Sequence, residues 1–337
     1  MKNEKILLGH GSGGKLSHQL IENVFLPFFA EEATPYQMDD AAVLDYPGKK
    51  LVFSTDSYVV DPIEFPGGDI GKIAVCGTVN DISMMGARPL FLSVGFIIEE
   101  GLGIDTLRRI LASMQMVARE ADIRIVAGDT KVVPRGAADK LFINTSGVGV
   151  PLSENIPAGG RAAEGDRIII NGPIAEHGIA VMATREGLEM DLELQTDSAP
   201  LNRLVEEIMR ISDGIHVLRD PTRGGVATTL NEIARQSDVA IALDENALPV
   251  TPVVASACEI LGLDPLYIAN EGKVLVICSK EDTPRILETM RKNKYGGDSR
   301  VIGSVIAQPK GKVFLRTAIG GQRMIDMLAG EQLPRIC

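Results

Sequence analysis

Apolar residues recur at helical spacing across residues 15–29, 69–85 and 107–121, and the pattern predicts a helix over each. The second of these stops ahead of Gly86 and Pro89, residue types that end helices. Shorter apolar runs at 51–55, 91–98, 123–127 and 141–150 read as strands, so strands and helices alternate through the first half. Residues 151–166, PLSENIPAGGRAAEGD, mix Pro, Gly and charge and read as a turn-laden surface connection. The pattern then restarts with strand 167–171, helices 177–185, 201–211, 225–236 and 253–261, strand 273–279, helix 283–292 and a last short helix near 322–328. The expected architecture is α/β (α+β) in two units, 1–155 and 156–330, followed by a mobile tail, 331–337, in which Gly330 and Pro334 punctuate any helix.

Length agrees with that division, since 337 residues make about two domains at roughly 100–200 residues each. With 34 basic against 45 acidic side chains the net charge is −11, so any phosphate the chain binds must be neutralised locally. An acidic chain with 4% aromatics and no Trp lacks the basic stripe and stacking platforms of a nucleic-acid binder. Its longest apolar runs, such as 89–98, fall short of the ~20 residues that cross a bilayer. The N-terminus shows no apolar stretch and cleavage site of a secretory signal, which makes the cytoplasm the expected compartment. Four cysteines without C-x-x-C spacing argue against a zinc knuckle and a dithiol motif.

Candidate chemistry starts at GHGSGGK, Gly9 to Lys15, which satisfies both G-x-G-x-x-G and part of a P-loop. Leu16 stands where a P-loop needs Ser or Thr, and Glu31 and Glu32 fall near a helix end, away from the strand end of a ribose-binding acid. A flexible glycine lead-in to a helix and a phosphate flap stay open beside those readings. The carboxylates carry more. Asp40 in DDAAV, Asp56 in STDS, Asp81 in NDIS, Asp129 in AGDT and Asp220 in RDPTRGG each sit at an element end or in a small-residue turn. One such Asp is usually an N-cap or turn former, but five together point to a Mg2+-nucleotide site, with Lys15, Lys131 and Arg223 as nearby cations. His10, His18, His177 and His216 are too scattered for a histidine metal site, and His18 is expected on an exposed helix face. Cys76, Cys258 and Cys278 read as small buried hydrophobes. Cys337 differs because it is the last residue: prenylation needs the cysteine fourth from the end, whereas a thiol on a swinging tail can carry a covalent group.

The ordered series HGSGG, DDAAV, STDS, VNDISMMGARP, AGDTKVV, DPTRGGVA and NEGKVLV resembles the aminoimidazole ribonucleotide synthetase-like superfamily of ATP-using enzymes over nearly the whole chain. The ending Pro334-Arg-Ile-Cys337 is similar to one branch, the carbamoyl dehydratase (HypE) family of nickel-iron hydrogenase maturation. Selenophosphate synthetases would carry Cys or selenocysteine near the N-terminal glycines, where His10 and Ser12 stand. Selenophosphate synthetase-like and thiamine-phosphate kinase-like activities remain the alternatives, and neither would depend on Cys337.

The resemblance implies an N-terminal domain that forms a homodimer by completing a β-barrel with its mate. It implies that a partner carbamoyltransferase loads Cys337 as an S-carboxamide, that ATP phosphorylates the carboxamide oxygen, and that loss of phosphate leaves a thiocyanate. Cyanide then passes to iron on a maturation scaffold. By matching positions, Asp40, Asp81 and Asp220 would hold Mg2+, with Asp56 and Asp129 in support. Lys131 and Arg223 would contact phosphates beside Asn80 and Thr130. Cys337, Glu271 and Lys131 would carry the catalysis, Glu271 as the base ahead of His177 or His216.

Overall fold

A computed structural model describes residues 14–20, 42–46, 49–187, 194–330 and 335–337. Asp40, the glycines before Gly14, and most of the helix expected over 15–29 lie outside the described residues; of that helix, α1 is described over Lys15–Leu20.

The first unit is one sheet with helices on one face. Its strands are β1 (Ala42–Tyr46), β2 (Lys49–Tyr58), β5 (Ala87–Glu99), β6 (Arg124–Val133) and β7 (Leu141–Pro151), in the order β1-β2-β7-β5-β6. Between β2 and β5 the two-residue strands β3 (Glu64–Phe65) and β4 (Gly68–Asp69) pair with each other. Only β5 and β6 run parallel, because helix α3 (Ile104–Glu120) separates them and supplies the crossover. Helix α2 (Ile70–Met84) has 13 of its 15 residues buried, so it is the middle of the unit and not an amphipathic cover. Asp69 caps it by accepting from Lys72 N.

Alternation along the strands sorts the chemistry. In β2, Ser54, Asp56 and Tyr58 face α2, whereas Phe53, Thr55 and Ser57 are exposed on the far side. Tyr58 is buried against the backbone of α2, where a Cβ on Gly77 would stand 2.1 Å from its hydroxyl. Gly77→Ala is therefore expected to displace the phenol and cost about 1–3 kcal/mol of stability, read as a lower urea midpoint. An unchanged midpoint would mean that Tyr58 is not held there.

The second unit is a seven-stranded sheet in the order β14-β13-β10-β12-β8-β11-β9. Its strands are β8 (Arg167–Ile170), β9 (Ile215–Arg219), β10 (Ala240–Asp244), β11 (Leu275–Cys278), β12 (Arg300–Ile306), β13 (Lys312–Arg316) and β14 (Gln322–Ile325). Leu275 and Ile277 pack with α6 (Gly225–Gln236) on one face; Val276 and Cys278 pack with α5 (Asn202–Ile211) and α8 (Thr283–Lys292) on the other. Burial on both faces explains why VLVIC, residues 274–278, is an unbroken apolar run. Helices α4 (Glu176–Arg185) and α7 (Pro252–Leu261) complete the unit.

Two expectations about elements need correction. Residues 322–325 form β14, not a helix, because the turn around Gly320 folds them back antiparallel onto β13. Strands β9, β10, β12 and β13 went unpredicted; at 5 to 7 residues each, their alternation is too brief to stand out from flanking turns.

Candidate active site

Three sequence segments meet where α2 abuts the second unit. Asn80 is buried and crosses between the units: its amide donates to Ala199 O at 3.1 Å and Glu271 O at 3.4 Å, and its carbonyl accepts from Leu201 N at 2.8 Å. The side chain expected to meet nucleotide is thus engaged in joining the units. At the next position of the same helix, Asp81 accepts from Ser54 Oγ at 2.6 Å.

The NEGK segment is pinned from several sides. Asn270 donates to Pro221 O at 2.8 Å and accepts from Ala175 N at 2.8 Å, which ties this loop to DPTRGG and to the start of α4. Asp197 accepts from Glu271 N at 3.1 Å and Gly272 N at 3.3 Å, and pairs with buried Lys273 at 3.0 Å. A Cβ on Gly272 would lie 1.9 Å from Asp197 O, so no other residue could approach as closely. Removing either member of a buried pair of this kind typically costs ~3–5 kcal/mol. Asp197 and Lys273 escaped the sequence reading, since 194–201 has no periodicity; the only signal was a Lys directly after NEG.

Glu271 points into a crowd of like charge. Burial first, then Asp197, Asp56 and Asp220, holds its carboxyl well above the usual range, against a lowering pull from Arg223. Arg223, exposed beside Gly224 and Gly225 at the start of α6, is driven further toward its charged form, chiefly by Cys337.

The chain terminus completes the cluster. Ile336 is buried in the first unit's core, with Cys337 packed against the same residues. Val59 N donates to Cys337 O and Asp61 N to Arg335 O, both at 3.2 Å, so the last residues lie along the segment after β2 like an added strand. Arg335 has φ +53°, a conformation costing roughly 1–2 kcal/mol for a non-glycine residue. Arg185 offsets this by donating to Arg335 O at 2.8 Å, and Arg335 pairs with Asp139 at 2.9 Å. Burial pushes the Cys337 thiol well up; Arg223 opposes it, while Glu271, Asp56 and Asp220 add to it.

Of the sequence-predicted residues, Asp56, Asp81, Asp220, Arg223, Glu271 and Cys337 therefore share one electrostatic neighbourhood. Asp129, Thr130 and Lys131 do not join it within this chain. They lie on edge strand β6, exposed, with Asp129 and Lys131 paired at 2.8 Å. The rung Asp56, Thr145, Val94, Gly128 puts β6 three strand spacings from Asp56, about 14 Å. Pairing of Asp129 with Gly95, and of Gly95 with Asn144, sets Asp129 and Lys131 on the face away from α2. His18 also departs from expectation: it is half-buried and bonded to Glu232 at 2.7 Å, not solvated. Cys76, Cys258 and Cys278 are buried, as expected. Among the described residues no three acidic, His or Cys side chains converge as a ready metal cage, and no helix is long and apolar enough to cross a membrane.

Known proteins match this arrangement along its whole length. The pattern of the AIR synthase related protein N-terminal domain fits residues 38–151, and that of its C-terminal domain fits residues 163–316. A carbamoyl dehydratase HypE from Cupriavidus necator is 49% identical across all of this chain and 96% of its own. The crystal structure of a hydrogenase maturation protein HypE in complex with ATP superposes with a TM-score of 0.84 at 52% identity, covering 99% of this chain and 100% of the other. A HypE chain crystallised in a complex with HypF gives 0.86 at 48% identity, covering 92% and 99%.

Proposed function

We infer the mechanism from one premise: this chain belongs to the HypE carbamoyl dehydratase family of the AIR synthase-related proteins. Its activity is that of a carbamoyl dehydratase in hydrogenase maturation, with ATP bound in the course of it. The substrate group is an S-carboxamide carried on Cys337. The observation that supports this most directly is the docking of the chain end itself among Glu271, Asp220, Asp56 and Arg223.

An amide oxygen is a poor leaving group, and phosphorylation makes it a good one. Transfer of the γ-phosphoryl group to the carboxamide oxygen releases ADP while one N–H proton departs. Breaking the C–O bond then releases phosphate as the second N–H proton departs, leaving a thiocyanate. Glu271, whose proton affinity burial and the neighbouring carboxylates raise well above the ordinary carboxylate range, is the group suited to take these protons. Arg223 on the rim meets the phosphates.

The acidity of the site fits a divalent cation. Asp56, Asp81, Asp220 and Glu271 would repel a triphosphate, and a cage of three protein ligands is not required for Mg2+, which is usually held by one or two carboxylates plus phosphates. Asp81 and Asp220 are the proposed holders, with Asp40 a third by resemblance; Mg2+ would supply charge neutralisation for the phosphates.

Loading must happen elsewhere. A docked thiol kept protonated by burial and three carboxylates is a weak nucleophile, so the carbamoyltransferase partner reaches Cys337 with the tail out. Residues 331–337 span up to about 24 Å at roughly 3.3–3.6 Å each, enough to swing from Gly330. The outward tail also passes cyanide to the iron-carrying scaffold.

Strand β6 bears on assembly. It is an edge with Val126 and Val132 exposed, on a sheet whose uncovered face also shows Phe53 and Ile97. A second copy that closes this edge into a barrel makes a homodimer and brings Asp129, Thr130 and Lys131 toward a shared nucleotide site. Sedimentation should give twice the chain mass, and Val132→Asp should shift it toward monomer; a stable monomer in the parent protein would count against the barrel.

The test of the whole reading is intact mass after incubation with carbamoyltransferase, carbamoyl phosphate and ATP. One carbamoyl group should be gained and, with ATP, one water lost. Phosphate release without a mass change on this chain would point instead to a free small-molecule substrate.

A further inference from the structure

The docked tail is held by groups of two kinds. Val59 and Asp61 bond to it through their backbone, and Arg185 grips it at Arg335, two residues from the end. Nearer the thiol a side chain intervenes: His177 Nε2 lies 2.8 Å from the carbonyl of Ile336, which belongs to the peptide unit that leads into Cys337. A carbonyl can only accept, so Nε2 carries the proton and Nδ1 is left as an acceptor. Thr196 Oγ1 sits 2.8 Å from Nδ1 and itself accepts from Ser198 N at 3.1 Å, so its hydroxyl proton is free to point at the ring. The bonds form one directed chain from Ser198 N–H through Thr196 O–H and the imidazole to the Ile336 carbonyl.

The imidazole cannot turn out of this arrangement. It is fully buried and packs in a T-shaped pair with the Phe65 ring, 5.4 Å between ring centres and 83° between planes. Helix α4 fixes its backbone, and the start of that helix is tied through Ala175 N to Asn270, the residue before Glu271. One short stretch of structure therefore connects the loop carrying Glu271 to the peptide carrying Cys337.

We propose that His177 is a positioning residue that latches the tail inward, setting the peptide before Cys337 in register with Glu271 by donating from Nε2 to the Ile336 carbonyl. This rests on the reading of Cys337 as the carrier, but the latch itself can be tested without it. Burial also keeps the ring toward its neutral form, which matches the single donor the chain of bonds requires.

Two substitutions separate the latch from a merely structural role. Gln places an amide N–H near the position of Nε2, whereas Asn reaches only that of Nδ1; both are neutral and polar, and both can bond Thr196 or the carbonyl but not each the same one. The first readout is N-ethylmaleimide alkylation of native, unloaded full-length protein, counted by intact mass and assigned by peptide mapping. Cys76, Cys258 and Cys278 are buried, so early label reports Cys337. His177→Asn should alkylate about fivefold faster or more than the parent, the scale of one lost hydrogen bond, while His177→Gln should stay within about twofold. The second readout separates steps: in His177→Asn carbamoyl loading, which needs the tail out, should hold or speed up, whereas single-turnover dehydration of the loaded protein should slow by about fivefold or more, with recovery in His177→Gln. Equal alkylation in the parent and both variants, or loading and dehydration falling together, would overturn the latch. If neither parent nor variant gains a carbamoyl group, the carrier reading fails, and alkylation still decides the latch.

Discussion

Glu271→Gln is expected to slow single-turnover dehydration of loaded protein by about 10²–10⁴-fold, the range of a positioned general base. The amide keeps the size of the side chain and cannot take a proton. In the parent the rate should climb with pH through a value above the ordinary carboxylate range, because burial and the Asp197, Asp56 and Asp220 charges raise the pKa of this group. The variant should lack that rise. Folding stability should move the other way. A carboxylate whose folded pKa is raised contributes stability that is present below its unfolded pKa and lost as pH rises through the folded one. At neutral pH and above, Glu271→Gln should therefore be at least as stable as the parent toward urea, so the loss of rate cannot be unfolding. A variant that dehydrates at the parent rate would remove Glu271 from proton transfer.

Cys337→Ala should keep ATP binding and abolish both mass changes, the carbamoyl gain and the later loss of water. The effect is complete because no other thiol can substitute: Cys76, Cys258 and Cys278 are buried in core positions. Appending a few residues after Cys337 should be nearly as damaging to dehydration while sparing the loading step. The docked end has Ile336 in the first unit's core and the Cys337 carbonyl bonded to Val59 N, so appended residues would have to be accommodated next to this packed position. Normal thiocyanate formation by an extended chain would show that the terminal position of the cysteine has no mechanical role.

How legible the molecule was in its sequence can be judged from particular residues. Helices α6 and α8 were bounded correctly because glycine starts one and Asp-Thr-Pro the other, both strong local signals. Asp56, Asp81 and Asp220 stood out as carboxylates in small-residue settings, although Asp56 lies within β2 and Asp81 within α2, not at element ends as the sequence suggested. Lys273 did not, since a Lys beside an apolar run usually reaches solvent, and only the fold supplies the Asp197 carboxylate that makes its burial tolerable. Asn80 was expected at the nucleotide, and its part in joining the units could not be read, because its partners Ala199, Leu201 and Glu271 are more than a hundred residues away.

The sequence by itself determined the local alphabet: which stretches could be helix or strand, that the chain is acidic, that a cysteine stands at position 337, and which superfamily it resembles. These depend on neighbours within a few positions, or on order along the chain, and survive without a fold. Only the tertiary structure decided which carboxylates share a field, that Asp129 and Lys131 face away from Asp56 across the same sheet, and that the last three residues lie against the first unit with His177 on their backbone. Proton affinities at Glu271 and Cys337 belong with these, because they arise from burial and from charges brought close by strand pairing and loop packing, which no spacing along the chain encodes.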